Sequence, residues 1–159
     1  MKNLNYFFVL VMMAGITLNC AAQDKTTTVP VYDEALARKL GADEYGMKKY
    51  VMAFLKSGSV KIQDSTEKAN LQAAHLKNIG RMADEGKLIV AGPFLDGQSI
   101  RGIYIFDVMS VEEAKKLTET DPAIKAGTLE MELRPWYGSA ALIESLRIHK
   151  TLEKSSLIR

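Results

Sequence analysis

The chain predicts an α+β domain in which one antiparallel sheet carries its helices on a single face, the elements running β-α-β-β-α-β. Three observations carry that reading. Two helix starts are written as capping boxes, Asp64-Ser65-Thr66-Glu67 and Ser110-Val111-Glu112-Glu113. Apolar runs at 50–55 and 88–91 have the length of strands covered on both faces, and Asp96-Gly97 after the second is a tight-turn signal. Near the end Leu129, Met131 and Leu133 alternate with Glu130, Glu132 and Arg134, the period of a half-buried strand.

The first two dozen residues read as an address. Lys2 precedes an apolar run at 6–18 that is short for a bilayer span, and Cys20-Ala21-Ala22 supplies small residues for cleavage. Residues 1–22 are therefore expected to be a signal peptide, with the mature chain exported to the periplasm or the extracellular space. Lipidation at Cys20 is the alternative, which would make the chain a membrane-anchored lipoprotein; Asn19, polar and larger than the usual residue before a lipidated cysteine, favours plain secretion. Residues 23–46, with Thr26, Thr27 and Thr28 in a row, read as a flexible linker holding one short helical candidate at 33–40. The folded domain is expected at 47–137, followed by a C-terminal helical extension at 138–159.

Composition excludes several classes of function. The one cysteine lies in the leader, so the mature domain has no disulfide, thiol nucleophile or cysteine-based metal site. Roughly 135 residues remain, enough for one core held by packing alone. The 21 basic and 19 acidic residues are interspersed without a basic block, which argues against a nucleic-acid partner. His75 and His149 alone do not make a metal site, and no dinucleotide fingerprint, P-loop or nucleophile elbow is present. No metal or cofactor is expected.

Within the domain, the first strand at 50–55 closes on Ser57-Gly58-Ser59. The helix from Asp64 to Gly86 places Leu71, His75, Ile79 and Met82 on one face, widened by Leu76 and Ala83, so His75 points at the sheet and not at water. The second strand, 87–95, should end or bulge at Pro93, which has no ladder donor; Gly92 leaves backbone open to a close neighbour such as a ligand, although a simple kink before the hairpin is the competing reading. A third strand follows at 102–108. The second helix buries Val111, Ala114 and Leu117, and Asp121-Pro122 reads as the cap and first residue of a short helical turn ended by Gly127. The last strand is expected to stop at Pro135, and 139–150 reads as an amphipathic helix with Leu142, Ile143 and Leu146, placed to strap a dimer or cover a sheet edge.

This order is the ferredoxin-like, split βαβ arrangement. With both helices on one face, the other face of an apolar sheet is bare, and a second copy is the expected cover; a homodimer follows. Tyr104 and Trp136 read as core or dimer-interface aromatics.

Taken together, His75-Leu76, Ala91-Gly92-Pro93-Phe94, Glu113-Ala114, Asp121-Pro122 and Arg134-Pro135-Trp136 resemble the YciI-like (YCII-related) family of the dimeric α+β barrel group, over about 48–136. The resemblance implies a dimer with a cleft holding a histidine and an aspartate as a catalytic pair; His75 matches the histidine, and Asp121 is the best match for the acid. The wider group includes muconolactone isomerase and a dehydrochlorinase of aromatic degradation, which implies cofactor-free proton transfer on small cyclic acids or phenols. The leader, linker and C-terminal helix of this chain depart from the family pattern.

Two functions are carried forward. The first is an exported isomerase or lyase acting on a small organic acid or phenol, with His75 as general acid or base, Asp121 as its orienter, and Gly92, Pro93 and Arg134 as candidate substrate contacts. The second is a dimer that binds a small ligand, or serves a structural role, without turnover; in it His75 is a core residue, Asp121 a helix cap and Arg134 half of a surface ion pair.

Overall fold

Both N-caps form where the sequence places them. The Asp64 carboxylate accepts from the Glu67 N–H at 2.7 Å, and the Ser110 hydroxyl accepts from the Glu113 N–H at 3.1 Å. A computed structural model describes residues 30–155; the expected leader, Cys20 and the first part of the linker lie outside the described residues. Residues 30–32 carry no regular structure, and a compact unit begins at Asp33.

Within that unit the elements run α1 (Glu34–Leu40), β1 (Met47–Ser57), α2 (Ser65–Asp84), β2 (Leu88–Pro93), β3 (Ile100–Phe106), α3 (Val111–Thr118), α4 (Pro122–Lys125), β4 (Leu129–Ser139), a 3-10 turn (Ala140–Glu144) and α5 (Ser145–Leu152). The four strands form one sheet in the order β2-β3-β1-β4, every pairing antiparallel. The fold is thus α+β and ferredoxin-like, with a C-terminal helix added.

The alternation of each strand sorts its side chains between two layers. On the helix side Val51, Ala53 and Leu55 of β1, Leu88 of β2, and Tyr104 and Phe106 of β3 pack against Ile79 and Met82 of α2 and Ala114 of α3. Met82 and Phe106 are wholly excluded from water, a burial that stabilises by about 1.5–3 kcal/mol for each side chain.

The opposite face departs from expectation. It was expected bare, yet the chain covers part of it: Leu142, Ile143 and Leu146 pack onto Tyr50, Ile89 and Ile105, beside Met52, Val90 and Trp136. The extension is also not one helix, since residues 140–144 make a 3-10 turn before α5 starts. Tyr50 anchors the turn by donating its hydroxyl to the Ser139 carbonyl at 3.0 Å, and its ring lies 5.8 Å from that of Trp136. Part of the expected linker is folded as well. Asp33 caps α1, Leu40 is buried, and the Lys39 ammonium meets Glu144 at 3.1 Å.

β4 does not stop at Pro135 but continues to Ser139, with Val51 opposite Pro135 and Tyr50 opposite Trp136. β4 is an edge strand, where a missing N–H need not cost a ladder bond. Pro93 behaves as expected and is the last residue of β2, the other edge.

Candidate active site

Residues far apart in the chain meet where α2 crosses the sheet. His75 sits in the third turn of α2 on its inward face and is 7% exposed, and Asp121, the N-cap of α4, is wholly buried. One carboxylate does two jobs. Its Oδ1 accepts from the Ala123 N–H at 2.8 Å, and its Oδ2 lies 2.8 Å from Nδ1 of His75. With Asp121 ionised, Nδ1 carries the proton and donates it to the carboxylate, so Nε2 is the acceptor of the neutral ring.

The loop that carries Asp121 is braced onto α2 by a second set of polar contacts. Thr120 donates to Asn78 Oδ1 at 3.1 Å, and the Arg81 guanidinium reaches both Asn78 Oδ1, at 3.0 Å, and the Thr120 hydroxyl, at 2.9 Å. Arg81 is itself held by Glu85 at 2.7 Å. The buried Nδ2 of Asn78 has no partner among the described residues, a cost the local network carries.

Tyr104 completes the centre. Its hydroxyl stands 3.4 Å from Nε2 of His75, a long contact, with the two rings stacked at 6.5 Å between centroids. Burial, and then the nearby Asp121 charge, push the Tyr104 phenol well above its ordinary range, so it is a hydrogen-bond donor throughout the physiological range. Read from the sequence, Tyr104 was a packing aromatic. It is one, but the register that pairs Ala91 with Tyr104 also aims its hydroxyl at the imidazole.

His75 opens onto a cleft of about 620 Å³ between α2, the end of β1 and the β2–β3 edge. Its apolar lining includes Leu55, Leu71, Leu76 and Ile79, with Gly92 and Pro93 on the strand side. Gly92 and Pro93 therefore stand where a ligand contact would be. Arg134 does not: it pairs with Met52 across β1 and β4, on the sheet face away from α2. There it forms an ion pair with Glu132 and lies 5.7 Å from the Phe54 ring centroid. The expectation of Arg134 as a substrate contact is corrected for this cleft, and the surface ion pair is what is found. Cations at the cleft come from elsewhere, Lys61, Lys68 and Arg101. None of these was singled out in the sequence: Lys61 and Arg101 sit in polar stretches without periodic signal, while Lys68, on the His75 face of the predicted helix, reads there as one more solvated charge. Among the described residues no three His, Cys, Asp or Glu side chains gather as a metal site.

The described residues thus present a ferredoxin-like sheet with a buried carboxylate–imidazole pair whose imidazole faces a largely apolar cleft. Residues 49–137 match the YCII-related domain model, and the chain belongs to that family. It is 33% identical over 73 residues to the uncharacterized protein YjpA of Bacillus subtilis (strain 168), a match covering 45% of this chain and 84% of that protein. Among solved structures it is similar to 5-chloro-2-hydroxyhydroquinone dehydrochlorinase from Burkholderia phenoliruptrix AC1100 in complex with 2,5-dihydroxybenzoquinone. That likeness has a TM-score of 0.41 and 20% identity, and covers 54% of this chain and 92% of the other.

Proposed function

We propose that this chain is a cofactor-independent proton-transfer enzyme, an isomerase or lyase for a small organic acid or phenol. His75 is its general base and acid, and Asp121 the residue that orients it. The observation carrying this reading is the 2.8 Å contact between His75 Nδ1 and Asp121 Oδ2 at the floor of an open cleft. A carboxylate on Nδ1 selects the tautomer whose Nε2 accepts a proton, and it stabilises the imidazolium that results. The proton taken from a substrate C–H or O–H is then returned to another carbon, or to a leaving group, from the same nitrogen. Tyr104, protonated and beside Nε2, can donate to an oxygen on which negative charge develops.

Hydrogen exchange tests the reading without knowledge of the product. Small phenols, lactones and carboxylates are incubated with the protein in D2O, and loss of C–H signal is followed by proton NMR. Wild type should accelerate exchange in at least one compound, and His75→Gln should lose about 100-fold or more of that rate. Compounds that bind yet exchange no faster than in buffer would leave a ligand-binding module without turnover.

The same reading includes export by residues 1–22 and pairing with a second copy. Export is supported by the apolar run behind Lys2, and the mass of the mature N-terminus distinguishes cleavage before Gln23 from lipidation at Cys20. Pairing is supported by the part of the sheet face that the C-terminal segment leaves open. There half-buried Phe54 and Ile103 adjoin Lys56, Glu130, Glu132 and Arg134, a mix of signs that suits a two-fold self-contact. Light scattering that returns the monomer mass would exclude the pair.

A further inference from the structure

The His75–Asp121 centre accounts for the floor of the cleft and says nothing of its rim. Among the described residues, every ionisable side chain lining the cleft besides His75 is a cation, Lys61, Lys68 and Arg101, and no Asp or Glu lines it. Elsewhere on the surface, cations of this chain are mostly matched: Lys48 with Asp107, Lys56 with Glu132, Lys87 with Glu113 and Lys150 with Asp84 all lie within ion-pair reach. Among the described residues, none of the three cleft cations has a carboxylate within that reach.

Three different parts of the fold bring them to one rim. Lys61 follows β1, where its ammonium donates to the Gly58 carbonyl at 3.0 Å. That stretch is tied to the segment before β4 by Gly58 N–H to the Thr128 carbonyl at 2.8 Å and Val60 N–H to the Gly127 carbonyl at 3.0 Å. Lys68 lies at the end of the first turn of α2, seven residues before His75. Arg101 is the second residue of β3, at a break in register where Leu55 faces Gly102 but Lys56 faces Ile100. The break leaves Arg101 outside the strict alternation, and the residue lines the helix-side cleft.

We infer that the rim is a carboxylate subsite: Arg101, with Lys68 and Lys61 beside it, holds the acid group of a small organic acid whose apolar or aromatic body fills the cleft down to His75. Unmatched cations around a concave apolar wall concentrate positive potential where a neutral rim would not. The guanidinium is suited to a bidentate carboxylate contact, and two lysines add point charge without dictating geometry. The walls contributed by Leu55, Leu71, Leu76 and Ile79 favour a ring or short aliphatic chain over a sugar or a nucleotide. The inference rests on the reading of His75 as the reacting end only for the orientation of the ligand; anchoring of the acid stands by itself.

Matched probes separate the two ideas. Salicylate, its uncharged analogue salicylamide, and inorganic phosphate are titrated into the full domain by calorimetry, with amide and arginine side-chain NMR shifts as the map. Salicylate should bind and shift Arg101. Arg101→Gln and Lys68→Gln should each weaken it by about tenfold, the effect of losing one charge-assisted contact, with salicylamide unmoved. His75→Gln should keep most of the salicylate affinity, so failed proton transfer and a failed subsite leave different marks. Equal affinity for salicylamide, unchanged affinity in both cation variants, or phosphate binding as tightly as salicylate would each overturn the carboxylate assignment. Circular dichroism of the exposed Arg101 and Lys68 variants checks that the fold is intact.

Discussion

Asp121 and His75, 46 residues apart in the chain, share a buried hydrogen bond of 2.8 Å in which the carboxylate that starts helix α4 also fixes the imidazole of helix α2. Folding and chemistry are therefore coupled at one side chain. Any substitution of Asp121 acts on the α4 cap and on the His75 tautomer together.

Replacing Asp121 separates these roles. Asp121→Asn keeps a side-chain acceptor for the cap but places an amide near Nδ1. The ring should then favour the tautomer protonated at Nε2, read as a change in imidazole nitrogen-15 shifts, with loss of exchange activity. Asp121→Ala removes cap and partner both, and chemical denaturation should show a loss of about 2–4 kcal/mol.

Tyr104 sets an alkaline limit on stability. Its phenol is held above the ordinary value of 10.0 by burial and by Asp121, so the unfolded chain releases that proton at lower pH than the folded one. The contribution is complete below pH 10 and is lost as pH rises from there toward the folded value. Absorbance at 295 nm should show Tyr104, together with the equally buried Tyr50, ionising only with unfolding, and Tyr104→Phe should remove its share of that coupled step. A Tyr104 that titrates with the exposed tyrosines would contradict its burial.

The C-terminal segment acts as a cover for the sheet. Leu146 is half-buried against the Tyr50, Ile89 and Ile105 cluster, so Leu146→Ala should cost about 1–2 kcal/mol in urea denaturation. Ending the chain at Ser139 should expose the cluster and raise binding of a hydrophobic dye. An unchanged midpoint in both proteins would mean that the segment contributes nothing to stability.

Gly58 is required where β1 leaves the sheet. A Cβ there would sit 2.1 Å from the Gly127 carbonyl oxygen, a backbone atom in a loop already tied to this stretch, so Gly58→Ala should cost about 2–3 kcal/mol and distort the Lys61 side of the cleft. Gly92→Ala is the contrast, since nothing lies within 4 Å of its added methyl, and its effect on the midpoint should stay within about 0.5 kcal/mol.

Much of this architecture was legible in the chain because its signals are short-range. The caps at Asp64, Ser110 and Asp121 each bond a backbone N–H two or three residues on, and all three form. The inward place of His75 follows from helical spacing, and the outward place of Arg134 from strand alternation. Helical spacing puts Lys68 on the same face as His75, whereas the polar stretches that carry Lys61 and Arg101 gave no such signal.

By itself, the sequence determined the element types, their order and the face each residue takes on its own helix or strand, since these depend on neighbours within about one turn or one pleat. Only the tertiary structure decided that Asp121 meets His75, that Tyr104 brings its hydroxyl to the same ring, that the cleft lies on the side away from Arg134, and that 142–146 folds back over the sheet. Those outcomes depend on strand register and on which side of the sheet each connection crosses. Both are settled by contacts between residues tens of positions apart, and a local pattern holds no record of them.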